Sequence, residues 1–241
     1  MRVLSIGNSF SVDATRYLHQ VAHNQGVDLN VAVLYVPGCT LSQHYRFMLR
    51  DSNDYVLFYN GHNTGFHVTL KEALLSQQWD IITMQQGSVH SADPENLYPF
   101  AAEISAFVRK CAPKAKLVVH QTWAYEEGSE RLMKAGFETQ KQMFANIENT
   151  YKVMVEIVQA AGLIPSGKLM QQLLENGIES FHRDTLHVTY GLGRFTLALL
   201  WYRMLTGNSV ETVTYSDFDE PVSRDEIALA KKLVDAATPL F

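Results

Sequence analysis

Short apolar runs that stop at a glycine or a polar turn alternate along this chain with longer stretches in which apolar residues recur every three or four positions. The first run, Arg2-Val3-Leu4-Ser5-Ile6, breaks at Gly7 and restarts as a helical pattern through Ala14, Tyr17, Leu18, Val21 and Ala22, ended by Gly26. Ser11 and Asp13 supply oxygen acceptors near the first turn of that helix. Further strands are predicted over 29–36, stopped by Pro37-Gly38, over 79–84, running into Gln85-Gln86-Gly87-Ser88, over 116–121, ending in Thr122-Trp123-Ala124-Tyr125, and over 162–165. The helical segments between them cover 71–78, a stretch begun by the cap-and-proline pair Asp93-Pro94 and running to Cys111, 129–161 in two pieces with Gly136 at the break, and 168–175. A long helix from Val188 to Thr206 is closed by Gly207, and Ser223-x-x-Glu226 is a capping box that opens the last one.

Residues 51–70 break this rhythm. Two β-rich runs, 55–59 and 65–70, flank Asn60-Gly61-His62-Asn63-Thr64, which predicts a hairpin inserted near the active edge of the sheet. Strands and helices otherwise alternate about five times, the signature of a parallel sheet covered by helices on both faces. The expected architecture is one α/β domain over 1–241 with 51–70 as its insertion. Ligands of such sheets bind beyond the carboxyl ends of the strands, so the turns after them are where chemistry is sought.

Composition narrows the function classes. With 241 residues, 46% apolar and 19% charged, the chain has the makeup of a soluble globular protein. Its net charge of −5 offers no basic surface for nucleic acid, and no apolar run approaches a membrane span. The first run is already a strand and too short for a secretory signal, so the expected setting is cytoplasmic. Cys39 and Cys111 are too few for a disulfide framework and lack ligand spacing, and His62 and His67 show no metal-binding pattern, so neither a metal nor another cofactor is expected.

The first turn, Gly7-Asn8-Ser9-Phe10-Ser11, places a serine beside the unpaired amides and positive dipole end of a helix. Taken alone it can be a turn glycine and a capping serine. Near the other end, Asp184-Thr185-Leu186-His187 sets a carboxylate three residues before an imidazole on one loop. That spacing lets Asp184 accept the Nδ1 proton and leaves Nε2 free to take a proton from a serine. His182 is a rival base without an Asp three positions before it.

These two blocks resemble the first and last blocks of the SGNH, or GDSL-type, hydrolases, with Asn8 where that family usually has Asp; the closest fit is a branch that begins Gly-Asn-Ser-Phe. The resemblance implies a flavodoxin-like three-layer α/β/α sandwich and a Ser9-His187-Asp184 triad. It also implies an oxyanion hole from the amides of Ser9 and Gly38, Gly38 matching the family's second block. The third block departs from the pattern: counted from Gly87, the family's asparagine falls at Val89 and the next position at His90. A side-chain amide from Gln86 or Gln85 is the substitute, Gln86 preferred.

The function expected from this resemblance is a serine esterase or deacetylase. Asn8, Gln85, Ser88, His90 and Trp123 are candidate pocket residues, and a polar rim including His44, Tyr45 and Tyr59 favours an O-acylated carbohydrate over a long lipid. An acyltransferase using the same triad, and a non-catalytic module binding an anion or nucleotide at the first turn, are the alternatives. The expected partner is a small-molecule ester.

Overall fold

A computed structural model describes all 241 residues. In chain order it contains β1 (Arg2–Gly7), α1 (Ser9–Thr15), α2 (Leu18–Asn24), β2 (Asn30–Tyr35), α3 (Leu41–Arg50), β3 (Tyr55–Tyr59), β4 (His62–Val68) and α4 (Leu70–Leu75). There follow β5 (Ile81–Met84), α5 (Phe100–Cys111), β6 (Lys116–His120), α6 (Glu130–Lys134), α7 (Gln140–Ile157), β7 (Gly162–Ile164), α8 (Ser166–Glu175), α9 (Leu192–Thr206) and α10 (Arg224–Asp235). The strands form one seven-stranded sheet in the order β4-β3-β2-β1-β5-β6-β7. The five strands from β2 to β7 are parallel, and β3 and β4 extend the β2 edge antiparallel.

Strand alternation divides the core in two. Val3, Val31, Val33, Ile81 and Val118 point to a face covered by α1, α2, α8, α9 and α10. Leu4, Ile6, Ala32, Leu34, Ile82, Met84, Leu117 and Val119 point to the face covered by α3, α4, α5 and α7. Burial on both faces is why the parallel strands read as nearly continuous apolar runs. The result is the expected three-layer α/β/α arrangement. No helix is long and apolar enough to cross a membrane.

The structure redraws several elements. The first helix is two, because Tyr17 leaves helical dihedrals (φ −110°, ψ 3°) and sets its hydroxyl between the Tyr190 carbonyl, to which it donates at 2.6 Å, and the Asp219 amide. The hairpin turn is Asn60-Gly61 alone, both with positive φ (49° and 84°), the geometry of a two-residue turn; residues 62–64 are already strand. Tyr59 pairs with Ala32 near the start of β2, so the hairpin tip points away from the strands' carboxyl edge, not toward it. Pro94 opens only a 3₁₀ turn, since Pro99 pushes Tyr98 into extended geometry (ψ 141°) and α5 starts afterwards at Phe100. Val188 bridges to His182, so α9 begins at Leu192.

Candidate active site

Ser9 is the first residue of α1, set immediately beyond the end of β1. The side-chain oxygen of Asn8 caps the helix by accepting from the Phe10 amide at 3.0 Å, which leaves the Ser9 hydroxyl free of that task. Ser11 and Asp13, expected near the cap, serve elsewhere: Ser11 Oγ donates to Gln85, and Asp13 pairs with Arg183 and Arg194. Ser9 Oγ lies 2.8 Å from His187 Nε2, and His187 Nδ1 lies 2.8 Å from Asp184 Oδ2. With Nδ1–H donating to the carboxylate, Nε2 presents a lone pair to the serine proton.

Asp184 and His187 sit on a five-residue loop closed by the His182/Val188 bridge and by the Arg183 amide donating to the His187 carbonyl at 2.9 Å. Thr185, at φ 68°, turns the chain so that Asp184 Oδ1 accepts from the amides of Leu186 (3.2 Å) and His187 (2.7 Å). Burial pulls the Asp184 carboxyl upward, but hydrogen bonds from the His187 amide and ring outweigh it and hold the group below the usual carboxylate range. Trp123 buttresses the loop: its Nε1–H donates to the Leu186 carbonyl at 2.9 Å, and its ring stacks at 3.9 Å on Phe10, whose ring meets His187 edge-on. Trp123 is therefore fully buried and is not a pocket wall.

The opposite side of Ser9 is organised by a buried chain of hydrogen bonds whose polarity is fixed from one end. Because Asn8 Oδ1 takes the Phe10 amide, Asn8 Nδ2 must donate, and it donates to the Cys39 carbonyl at 3.1 Å, drawing the Gly38-Cys39 turn toward Ser9. Gln85 Nε2 then donates to Asn8 Oδ1, so Gln85 Oε1 faces His120 Nδ1, which must carry its proton; His120 Nε2 accepts from Ser166 Oγ. The neutral imidazole this requires is what complete burial enforces, holding His120 down at about 3. Gly38, at φ 60°, is exposed, and its amide makes no internal hydrogen bond. The Ser9 amide, first in its helix, has no intrahelical partner either.

Neither glutamine supplies a free side-chain amide here. Gln86 Oε1 accepts from Leu41 and Gly87 and its Nε2 donates to the Asn96 carbonyl, so it fastens the start of α3 to the 88–97 segment instead of facing Ser9. Gln85 and Asn8 are buried inside the chain just described, which removes them from a substrate pocket. Ser88 is half-buried and its hydroxyl accepts from Tyr125 at 3.3 Å; His90 is half-buried in the same segment. Of the expected rim, His44 is wholly buried against Tyr55, while Tyr59 lies at the far edge of the sheet. His182 is buried and bonded to the Ala124 carbonyl, and burial lowers its pKa. Cys39 is buried, its thiol pushed up to about 12 by that burial. No group of three or more His, Cys, Asp or Glu side chains is placed to hold a metal.

A groove of about 490 Å³ opens beside the Asp184–His187 loop, lined by Val89, Tyr125, Arg131 and Thr185 with Glu130 and Lys134 at its edge. Arg131 lies over the Tyr125 ring and its Nε reaches Thr185 at 3.4 Å. Of these residues Tyr125 alone is marked in the sequence as a candidate pocket wall, by its place after a parallel strand; Val89, Arg131 and Thr185 join it only through the fold.

Residues 2–237 match the DUF4886 family, a domain of unknown function. A crystal structure of a DUF4886 family protein from Bacteroides uniformis superposes with a TM-score of 0.88 at 26% identity, over 98% of this chain and 93% of that one. A candidate SGNH hydrolase from Slackia heliotrinireducens follows at 0.61 and 24% identity, over 84% and 97%. A candidate GDSL-like lipase from Parabacteroides merdae gives 0.56 at 11% identity, over 83% and 93%. No curated protein sequence matches. The hydrolase likenesses establish a shared fold; what the site does must come from its own geometry.

Proposed function

The chain belongs to the DUF4886 family, and from that premise we propose that it is a serine hydrolase of carboxylic esters, with Ser9 as nucleophile, His187 as general base and acid, and Asp184 as the group that orients His187. The observation behind this reading is the continuous row Ser9 Oγ, His187 Nε2, His187 Nδ1, Asp184 Oδ2, with 2.8 Å at both hydrogen bonds. Ser9 Oγ attacks the ester carbonyl as Nε2 takes its proton, and the tetrahedral oxyanion forms toward the unpaired amides of Ser9 and Gly38. The carbon–oxygen bond to the alcohol then breaks while Nε2 returns the proton to the leaving oxygen. Water, deprotonated by the same nitrogen, releases the acid from Ser9 and restores the hydroxyl.

The groove beside the loop favours an O-acylated carbohydrate as substrate. It offers charged, hydrogen-bonding side chains around a Tyr125 ring covered by Arg131, in place of a long apolar channel. Acetylated sugars are expected to turn over faster than long-chain acyl esters, and the reverse order would remove the carbohydrate assignment while leaving the ester chemistry.

The deciding experiment is labelling with a fluorophosphonate followed by mapping of the modified peptide. The wild type is expected to label at Ser9 and to hydrolyse p-nitrophenyl acetate, and Ser9→Ala to do neither. A wild type that resists the probe, or labels at another residue, ends this reading.

Gly87→Ala tests the oxyanion side. A Cβ there would stand 2.9 Å from the Cys39 carbonyl and from Thr40 Cγ2, and 3.2 Å from the Gly38 carbonyl, so the loop bearing the Gly38 amide must move. Losing one oxyanion donor outright costs about 3 kcal/mol, and partial displacement is expected to lower kcat by about tenfold with KM little changed. Unaltered kcat in the folded variant would take Gly38 out of the oxyanion hole.

A further inference from the structure

We propose that Arg183 is a positioning residue that sets the register between Ser9 and His187; this rests on the serine-hydrolase reading above. Ser9 and Asp13 are one turn apart on α1 and so share a face. Across from them, Arg183 and His187 are the paired ends of the catalytic loop, joined by the bond from the Arg183 amide to the His187 carbonyl. Two rungs therefore connect the helix to the loop: Ser9 Oγ to His187 Nε2 at 2.8 Å, and Asp13 Oδ2 to Arg183 Nη1 at 3.0 Å. The first rung is the reacting pair and must be free to exchange a proton. The second is a charge-assisted bond between a carboxylate only 1% exposed and a guanidinium 20% exposed, and it has no part in the chemistry.

The surroundings make the second rung stiff. Asp13 Oδ1 accepts from Arg194 Nε at 2.8 Å; Arg194 in turn holds Asp219 at 2.9 Å, and Asp219 holds Arg16. The guanidiniums of Arg183 and Arg194 lie 4.4 and 4.5 Å from the centroid of the Tyr190 ring. Arg183 Nη1 also donates to the Val188 carbonyl, closing the base of the loop on itself. A lysine could supply one bond to Asp13 but not this planar, branched set of contacts. The loop that carries the base is thus referred to the helix that carries the nucleophile through a fixed ionic contact, independent of whether the Ser9 bond is made.

The test uses Arg183→Met and Arg183→Lys, because Asp13 keeps Arg194 as a partner in both and is not left as a lone buried charge. Each variant is compared with wild type in thermal unfolding, in ester hydrolysis and in the rate of fluorophosphonate labelling per folded molecule. Misplacing the base by a fraction of an ångström is expected to slow labelling and lower kcat by about tenfold or more in Arg183→Met, with KM within about twofold. Arg183→Lys should recover part of that loss. A contact that only stabilises the fold would lower Tm and leave the labelling rate of folded protein within about twofold of wild type, and that result overturns the proposal. Should Arg183→Met fail to fold, Arg183→Lys decides: a several-fold loss in kcat at constant KM supports the positioning role, and wild-type kcat refutes it. A wild type inert to the probe refutes the hydrolase reading and this one together, whereas a reactive wild type with equally reactive variants refutes this one alone.

Discussion

Asp184→Asn is expected to lower kcat by about four orders of magnitude while leaving the fold and the labelling site in place. The size follows from where the carboxylate oxygens go. Oδ1 is held by two backbone amides, those of Leu186 and His187, and these can only donate. An asparagine must therefore turn its oxygen toward them and its NH₂ toward the ring, where Oδ2 accepts from Nδ1 in the native protein. Facing a donor, Nδ1 has to become the acceptor, and the proton moves to Nε2, the atom 2.8 Å from Ser9. The imidazole then meets the serine with an N–H where it needs a lone pair. In Asp184→Ala no NH₂ faces the ring, so the tautomer is free and the loss should be smaller per folded molecule, although the loop loses its turn. Equal kcat for Asp184→Asn and wild type, measured with p-nitrophenyl acetate, would place the base elsewhere.

The second large effect is on stability in acid. His44 and His120 are both completely buried, and burial pushes each down to about 3. In the unfolded chain a histidine titrates near 6.5, so between these values the unfolded state binds protons that the folded state refuses. Stability contributed by the neutral folded forms is complete above about pH 6.5 and is lost as the pH falls through that window. At pH 5 each histidine costs about 2 kcal/mol, about 4 kcal/mol together, a large share of the 5–15 kcal/mol typical of a domain. His182, lowered by burial as well, works in the same direction. Urea midpoints at pH 7.5 and pH 5 measure the loss directly. His44→Phe, which keeps a ring against Tyr55, should reduce the pH dependence by about half even though the Tyr55 hydroxyl loses its partner. Equal midpoints at both pH values would mean that these sites admit protons or water.

What the sequence discloses tracks how local the cause is. The parallel strands show as apolar runs because both faces are covered, and Asp184-x-x-His187 shows because carboxylate and imidazole meet within one turn. The capping box at Ser223 is equally local and forms as written. Pro94 carries a helix-start signal that a second proline five residues later cancels. The glutamines and Trp123 depart from expectation for a different reason. A residue after a parallel strand lies at the right edge, but whether its side chain faces the cleft or the core depends on partners outside its own turn, such as Asn96 and the more distant Leu41 and Leu186. Arg183 and Asp13 are 170 positions apart, and nothing in the sequence marks them as a pair.

Asn8, where SGNH hydrolases usually have Asp, also decides how charge is distributed around Ser9, the proposed nucleophile. Its neutral amide, Gln85 and an uncharged His120 make the Cys39 side of Asn8 free of formal charge. The carboxylates lie on the other side, Asp184 against the imidazole and Asp13 neutralised between two arginines. The local electric field along the Ser9–His187 direction is consequently one-sided. The Asp184 carboxylate supplies negative charge at the ring end, and the positive end of the α1 dipole, with no carboxylate behind it, supplies the opposite sign at the amide end. Serine addition to a carbonyl builds the complementary dipole, positive on the ring and negative on the carbonyl oxygen, so in the proposed reaction an acid placed at position 8 would act through space, without touching a reacting atom.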